Sequence, residues 1–289
     1  MYNARVNIVY RDASKMIFRV YPDKFTMRYA PGQYGALGLQ RGAPRIDQPA
    51  EVDSGRTELI KRPYSIANPV LDDNGTLVDT SLLDFYEFYV DLVIADEHQK
   101  PRLSPRLFAL RDDDRIFMAD KIVGHYTLDM SARGKNLLFI ATTTGESPHN
   151  SMVTDVLRRG DECHVCNIII GRPGWISAYQ AKHRLLMEAF LTYHCLTVED
   201  DETFASTEAL METSLSDGAR AVETLGWALD PESTHVFLCG DPTMIGAPVK
   251  LGGWQYQRPA SGLMRLFERH GFRAATRFQQ GSVNYESYW

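Results

Sequence analysis

The 289-residue sequence has little that would tie it to a membrane or to nucleic acid. It contains no run of about 18 apolar residues, so no membrane-spanning helix is predicted. No apolar stretch follows residues 1–5, and we therefore expect no secretory signal and a cytoplasmic protein. The net charge is −6 and no nucleic-acid-binding motif is visible, which argues against a nucleic-acid partner.

Cysteine is scarce, with four residues in the chain. Cys163 and Cys166 have the spacing of a metal-binding pair, but a zinc site needs a second converging pair. The flanking residues are typical of a strand entering a core, which favours two small buried thiols over zinc ligands. The Cys-x4-Cys-x2-Cys pattern of a plant-type iron–sulfur cluster is absent, so electrons leaving singly would need a separate carrier.

Charge is distributed unevenly along the chain. Residues 1–62 hold 11 Lys/Arg against 6 Asp/Glu, residues 250–289 hold 6 against 2, and the residues between hold 14 against 29. A basic rim formed by the two ends would steer an acidic protein partner toward the molecule. Chance clustering on a solvated surface explains the same pattern equally well.

The first part of the chain has the alternating pattern of antiparallel strands, interrupted by Pro and Gly. A short helix is predicted at Ser104, a natural N-cap followed by Pro105 at the first helical position. Residues 41–60 are polar and aperiodic, and predict a long loop. Together these features predict a closed antiparallel β-barrel. The predicted strands include residues 6–9, 16–20, 33–37, 83–93, 115–118 and 124–128.

The pattern changes near residue 131. Residues 137–141 form a continuous apolar run, typical of a strand buried on both faces of a parallel sheet. Further strands alternate with helices, which predicts an α/β doubly wound parallel sheet and hence two domains, 1–131 and 132–289. Ligands of such sheets bind at the carboxyl ends of the strands. The loops predicted there begin at Thr142, Gly171, Glu199 and Gly240.

Residues 61–67 place a cation, a flat ring and a hydroxyl within four positions. Pro63 favours an extended conformation for Arg62, so Arg62 and Tyr64 would share one face of a strand. A guanidinium can bind a diphosphate, a phenol can stack on a flat heteroaromatic ring, and the Ser65 hydroxyl can reach a ring nitrogen. On these residues alone, an ordinary strand end with a surface arginine is the alternative.

Four segments, in this order and spread over nearly the whole chain, resemble signatures of the ferredoxin–NADP reductase family, a group of flavoproteins. The resemblance implies an FAD-binding barrel followed by an NAD(P)-binding domain. It also implies hydride transfer between NAD(P)H and flavin N5, with single electrons exchanged with ferredoxin or flavodoxin. The segments are Pro31-Gly32-Gln33-Tyr34, Arg62-Pro63-Tyr64-Ser65, Cys239-Gly240-Asp241-Pro242-Thr243-Met244 and Tyr288-Trp289.

The same resemblance implies roles for individual residues. Arg62 and helix N–H groups near Ser104 would hold the diphosphate, while Tyr64 would stack on the isoalloxazine. Tyr288 would cover the other flavin face, and Trp289 would lie near the adenine. The implied catalytic residues are Ser65, Cys239, Glu286 and Tyr288. The implied cofactor-binding residues are Arg62, Pro63, Tyr64, Ser65, Ile66, Tyr89, Arg102, Leu103, Ser104, Thr142, Thr143, Thr144, Arg172, Glu199, Cys239, Gly240, Asp241, Tyr288 and Trp289.

The sequence departs from the family pattern in two loops. Thr143 stands where the family has a glycine, Glu146 brings a negative charge toward an anion site, and Pro101 replaces a further glycine. The departures at Thr143 and Glu146 favour one alternative, a non-enzymatic subunit that binds flavin or nucleotide. A second alternative is a reductase component that feeds an oxygenase from NADH.

The choice of nicotinamide dinucleotide rests on opposing charges. By the resemblance, Arg172 would contact the 2′-phosphate of NADP. The acidic residues 199–201 would instead repel that phosphate and accept hydrogen bonds from a free ribose hydroxyl. The cofactors predicted are therefore FAD and either NADP or NAD, with the acidic loop favouring NADH.

Overall fold

The computed structural model describes residues 2–24, 28–47, 58–94, 102–128, 132–252, 255–257, 259–276 and 279–288. The chain divides into two compact units, residues 1–127 with 150–152, and residues 128–149 with 153–289. The domain assignment 1–131 and 132–289 stays a prediction, because compact packing alone does not demonstrate an independently folding domain.

Six antiparallel strands of the first unit close into a barrel in the order β1-β2-β5-β4-β3-β6. Closure occurs between β1 and β6, where Ala4 pairs with Ile116 and Arg5 pairs with Arg115. The strands are β1 (Ala4–Arg11), β2 (Lys15–Pro22), β3 (Tyr34–Gln40), β4 (Leu59–Ala67), β5 (Tyr86–Asp91) and β6 (Arg115–Val123). A one-turn helix, α1 (Ser104–Leu107), precedes β6.

The barrel interior is filled by alternate side chains of its strands. Phe18 and Phe88 stack there with ring centroids 5.7 Å apart, beside Val20 and Leu37. Fully burying side chains of this size contributes about 1.5–3 kcal/mol each. The predicted strand at residues 124–128 is wrong: β6 runs on to Val123 and ends where Gly124 adopts a left-handed φ of 130°.

The second unit is built around a five-stranded parallel sheet in the order β13-β10-β7-β8-β9. Strands β7, β8 and β10 are buried along almost their whole length, as the apolar runs predict for strands covered on both faces. The strands are β7 (Asn136–Thr142), β8 (Val165–Gly171), β9 (Tyr193–Glu199), β10 (Thr234–Gly240) and β13 (Val283–Ser287), with a separate hairpin, β11 (Val249–Gly252) and β12 (Gln255–Gln257).

Six helices accompany this sheet in the described part of the second unit. The first spans residues of both units, because residues 150–152 belong to the first. The helices are α2 (Glu146–Arg159), α3 (Gln180–Ala189), α4 (Ala205–Ser216), α5 (Gly218–Leu225), α6 (Pro242–Ile245) and α7 (Leu263–Arg269). The sequence analysis did not predict α4 and α5, although Asp217 caps α5 by accepting bonds from two backbone N–H groups, a signal visible in the sequence.

The predicted fold class, an antiparallel barrel followed by a doubly wound parallel sheet, is confirmed. Cys166 lies on β8 with its side chain in the core of the second unit. Among the described residues, no three potential ligands gather in a group that could hold a metal ion. In the same part of the chain, no helix is both long and apolar enough to cross a membrane.

Candidate functional site

In the first unit, the predicted flavin-binding stretch lies on β4 and pairs mainly with one neighbour. Its register with β3 aligns Ser65 with Tyr34 and Arg62 with Leu37. On the other side, β5 pairs with β4 only at Ile66 and Ala67. Within the described strands, the segment from Arg62 to Ser65 therefore has one backbone edge that no strand covers. Pro63 suits such a position because it has no N–H to contribute to a ladder.

Two guanidinium groups lie close to the half-buried ring of Tyr64. Burial raises the pKa of Tyr64, and the positive charges of Arg62 and Arg102 partly oppose that rise. Arg62 Nη1 also donates to the backbone carbonyl of Lys61, 2.7 Å away. The structure thus brings the charge of Arg102, from a distant part of the sequence, to act on the same ring as Arg62, an arrangement that suits an aromatic ring system joined to a diphosphate.

Other residues predicted to bind the flavin are buried around this segment. Ser65 and Tyr89 are almost fully buried, and Leu103 is in the barrel core. Ile66 packs its side chain into the same core, while its N–H donates to Gln33 (2.9 Å) and its carbonyl accepts from the Ser151 hydroxyl (2.9 Å). Both its side chain and its backbone are thus engaged within the first unit.

Ser104 does not cap helix α1 as predicted. Leu103 occupies the N-cap position and makes no side-chain cap bond, while the Ser104 hydroxyl instead accepts from the Val93 N–H at 2.9 Å. The Ser104 hydroxyl is therefore bonded to an amide 11 residues earlier in the sequence. Local residue spacing could not have predicted this partner. The sequence analysis also missed Arg106, which is buried and donates to the carbonyl of Arg102 at 3.1 Å.

In the second unit, the strand order identifies where a ligand would bind. The chain passes from β7 outward to β8 and β9, and then returns to the other side of β7 to form β10. The crevice between β7 and β10 is therefore the topological switch point, the usual ligand site of an open α/β sheet. Of the predicted residues, Thr142 ends β7 and Thr143 and Thr144 follow it, while Gly240 and Asp241 lie at the end of β10.

The two loops at the switch point are in direct contact. The Asp241 N–H donates to Thr142 Oγ1 at 2.8 Å. Gly240 has φ +119°, and an added Cβ would lie only 2.0 Å from that same Oγ1, so no other residue fits at this position without a shift. Thr143 has φ +44°, a left-handed conformation that is rare for a β-branched residue and that glycine adopts easily.

The expectation that Glu146 brings negative charge toward an anion site is wrong. Glu146 begins α2, but its side chain is 0% exposed and turns into the unit. Its Oε1 accepts from the Ser177 hydroxyl at 2.5 Å, and its Oε2 lies 3.3 Å from His183 Nε2. Neither contact was predicted from the sequence, since the partners lie 31 and 37 residues further along the chain.

The acidic loop after β9 contains carboxylates with different surroundings. Asp200 is buried and accepts from the Thr207 N–H (2.7 Å), so it is unavailable to a ribose. Asp201 accepts from the Thr203 N–H (2.8 Å) in a local turn. Glu199 is exposed and accepts from the Gly174 N–H at 3.2 Å. Of the three predicted carboxylates, Asp200 is therefore buried, while Glu199 and Asp201 are exposed.

Arg172, predicted to contact a 2′-phosphate, pairs with a carboxylate that the sequence analysis did not single out. Its Nη2 lies 3.0 Å from Glu202 Oε1, and the two side chains are 77% and 87% exposed. Glu202 is the last residue of the acidic run from Glu199, so the signal was present in the sequence. An arriving phosphate would have to compete with Glu202 for this guanidinium.

Three residues predicted to be catalytic meet at the end of β10. Cys239 pairs with Glu286 across the parallel strands β10 and β13. Burial raises the pKa of the Cys239 thiol well above its usual value, and the charge of Glu286 adds a smaller rise. A hydrogen bond with Tyr288 opposes this rise. The Tyr288 N–H donates to the Gly240 carbonyl at 2.9 Å. Trp289 and Pro101 lie outside the described residues.

The chain is similar in sequence to proteins of one named kind. The flavodoxin/ferredoxin–NADP reductase of Escherichia coli (strain K12) is 27% identical over 222 residues, covering 75% of this chain and 76% of the relative. The protein of the same name from Rhodobacter capsulatus is 27% identical over 227 residues, covering 74% and 72%. No protein-family model matches the chain.

A solved structure extends the likeness over nearly the whole chain. The ferredoxin NADP+ reductase from Neisseria gonorrhoeae with bound FAD and NADP matches with a TM-score of 0.71 at 17% identity, covering 99% of this chain and 98% of that chain. At this identity the match establishes the fold. With the curated relatives, it confirms the resemblance to ferredoxin–NADP reductases that the four sequence segments predict.

Proposed function

We propose that this relative of the flavodoxin/ferredoxin–NADP reductases passes a hydride between a nicotinamide dinucleotide and a bound FAD, and exchanges single electrons with ferredoxin or flavodoxin. The predicted class, an FAD-dependent oxidoreductase that uses a nicotinamide dinucleotide, is borne out by the relatives and by the fold. The residue assignments rest on the guanidinium charges of Arg62 and Arg102, which both act on Tyr64. Tyr64 lies in the part of β4 that pairs with β3 but not with β5.

The first unit supplies the groups that FAD requires. Arg62 and Arg102 would neutralise the diphosphate, Tyr64 would stack on the isoalloxazine, and Ser65 would donate its hydroxyl hydrogen to N5. When bound, the flavin accepts a hydride and releases electrons singly, which no protein side chain does alone. The protein contributes alignment and a buried, partly apolar setting.

The second unit would hold the nicotinamide dinucleotide at its topological switch point. The loop after β7 and the Gly240 backbone would face the pyrophosphate and the nicotinamide. Because burial raises the pKa of Cys239, its thiol keeps its proton and acts as a small packing group beside the ring instead of a nucleophile. Glu286, next to it, is the group placed to exchange protons near this position.

NADH is the dinucleotide that the acidic loop supports. Glu202 already occupies Arg172, and Glu199 is exposed nearby, bonded to the Gly174 backbone. A 2′-phosphate would meet both carboxylates, whereas a ribose hydroxyl could donate to either. This loop is also the observation that favours the second candidate, a reductase component that feeds an oxygenase from NADH.

The partner and the location belong to the same proposal. The excess of basic residues in 1–62 and 250–289 suits an acidic electron carrier such as ferredoxin or flavodoxin, and steering of this kind weakens as salt is added. Such an exchange would take place in the cytoplasm.

The test begins with the absorption spectrum of the purified protein. We expect oxidised-flavin bands near about 380 and 450 nm, bleached under anaerobic conditions by NADH or NADPH. Arg62→Ala should weaken FAD binding by roughly tenfold or more, because it removes a charge-assisted contact to the diphosphate. Arg115→Ala is the matched control on the same barrel, since Arg115 pairs with Asp23 instead.

The outcomes separate the alternatives. A protein that takes up no FAD would sink the reductase proposal. A flavoprotein that no nicotinamide reduces would support the non-enzymatic subunit. Equal flavin loss in Arg62→Ala and Arg115→Ala would remove Arg62 from the proposed site.

A further inference from the structure

Four polar side chains of the second unit form a buried group, which we call the Glu146 cluster: Glu146, Ser177, His183 and Tyr193. Their exposed fractions are 0%, 5%, 2% and 2%. A carboxylate so far from solvent is costly unless both of its oxygens are bonded. No residue of this cluster has a part in the proposed chemistry, so its presence needs a separate explanation.

Both carboxylate oxygens of Glu146 are bonded within the cluster. Oε1 accepts from the Ser177 hydroxyl (2.5 Å), and Oε2 faces His183 Nε2 (3.3 Å). The Tyr193 hydroxyl lies 2.8 Å from His183 Nδ1. Burial raises the pKa of Tyr193 well above its usual value, so the hydroxyl keeps its proton and can donate to Nδ1. The imidazole then carries its own proton on Nε2, facing Glu146.

The cluster joins two segments that follow neighbouring strands. Glu146 comes directly after the loop 142–145 at the end of β7. Ser177 lies in the segment between β8 and α3, and its Oγ also accepts from the Tyr179 N–H at 3.0 Å. Both segments leave the carboxyl ends of their strands, at the edge of the sheet where the dinucleotide would bind.

Stability alone does not account for such a cluster. Replacing both partners of a buried polar contact by apolar groups of the same shape can be nearly neutral or stabilising, so an apolar contact could hold the same core together. Hydrogen bonds differ in being directional, and they fix the distance and orientation of the segments that they join. Thr143 keeps its left-handed φ in one of these segments, and strained residues persist where their surroundings over-determine them.

We propose that the Glu146 cluster positions the loop 142–145 relative to the segment 172–177 for dinucleotide binding. Glu146, Ser177 and His183 are positioning residues: they touch neither reacting atom, and they act through the two segments that would contact the pyrophosphate and the ribose. This inference rests on the proposed function and adds to it a cause for the geometry of its nucleotide site.

The test replaces the cluster by apolar side chains in the FAD-loaded protein, with the triple variant Glu146→Leu, Ser177→Ala and His183→Leu. Calorimetry measures the binding of ADP-ribose, which cannot react. Hydrogen exchange measures the backbone amides of 142–147 and 175–179. We expect the Kd for ADP-ribose to rise about tenfold, with faster exchange confined to these two segments. In turnover, KM for the dinucleotide should rise while kcat stays within about twofold.

A matched control removes another buried polar bond of the same unit. Trp227 Nε1 donates to Thr234 Oγ1 at 3.0 Å, and Thr234→Val deletes it without touching either segment. This control should leave the Kd for ADP-ribose unchanged. If the triple variant does not fold, Ser177→Ala alone must raise that Kd at least about threefold, because the loss of one directional bond loosens the same junction.

The contrary results are distinct. A folded variant with wild-type Kd and wild-type exchange in both segments would overturn the positioning role while leaving the proposed function intact. A wild-type protein that binds neither ADP-ribose nor a dinucleotide would overturn the proposed function, and this role with it.

Discussion

Glu146 and Glu202 both follow strands at the same edge of the second unit's sheet, yet the fold treats their charges in opposite ways. Glu146 is fully buried, with both oxygens bonded to Ser177 and His183. Glu202 is 87% exposed and is paired with Arg172, whose side chain is 77% exposed. The first charge is held by hydrogen bonds inside the protein, while the second stays exposed to an arriving anion. The effect of an acidic residue near a phosphate site therefore depends on where its carboxylate points.

The largest expected effect of this difference is on stability. His183→Leu leaves the Glu146 carboxylate buried with the Ser177 bond and no imidazole, and we expect a loss of about 3 kcal/mol in the free energy of unfolding because a buried, charged acceptor loses a hydrogen-bond partner. Arg172→Ala breaks an exposed pair and should change the free energy of unfolding by less than about 1 kcal/mol. Urea denaturation of the FAD-loaded protein measures both values.

The comparison would fail if the two variants lost similar stability. A second substitution sharpens it, since adding Glu146→Leu to His183→Leu removes the buried carboxylate that has lost its partner and should restore much of the loss. Recovery identifies the buried charge as the cause, whereas a further loss would identify packing.

The buried side chain of His149 should also make the stability of the fold sensitive to acid. Burial lowers the pKa of His149, on the same helix as Glu146, to about 3. Below its ordinary pKa of about 6.5 the unfolded chain binds a proton that the folded chain does not, so stability falls as the pH falls, by up to about 1.4 kcal/mol per pH unit until the folded pKa is reached. His149→Phe, which keeps a ring against Phe139, should flatten the dependence of stability on pH between 7 and 5. An unchanged slope would contradict this assignment.

The sequence predicted features that depend on neighbouring residues, but not contacts between residues far apart in the chain. Strand β4 and the apolar run of β7 were predicted because local spacing determines which face is buried. Gly240 was singled out because a backbone next to a ligand needs glycine. The direction of Glu146 was not predictable, since its partners lie 31 and 37 residues away and only the sheet order brings them to it. The hydroxyl of Ser104 was misassigned for the same reason, as Val93 is its distant partner.

The exposed pair of Glu202 and Arg172 leads us to predict a change in the preference between NADPH and NADH. Glu202→Gln releases Arg172 and removes one repelling charge, so the ratio of kcat/KM for NADPH to that for NADH should rise about fivefold, which corresponds to about 1 kcal/mol. Steady-state rates with each dinucleotide at low ionic strength measure this ratio, and the effect should shrink as salt is added.

A neighbouring carboxylate provides the control for that change. Asp201 carries the same charge, but it accepts bonds from Thr203 in a local turn, so Asp201→Asn should shift the ratio less than Glu202→Gln. Equal shifts in the two variants would mean that net loop charge sets the preference and that the Arg172–Glu202 pair has no special part.

The smallest expected effect concerns Thr143, in the loop beside the buried cluster. A left-handed β-branched residue carries about 1–2 kcal/mol of strain, and glycine relieves it while costing about 0.5–1 kcal/mol through the unfolded chain. Thr143→Gly should therefore leave stability unchanged or raise it by up to about 1 kcal/mol, as thermal unfolding would show. Thr144→Gly is the matched control, because Thr144 is buried without a positive φ and should only lose stability. A clear loss in Thr143→Gly would mean that contacts of the threonine side chain, more than the Glu146 cluster, hold this loop in its strained form.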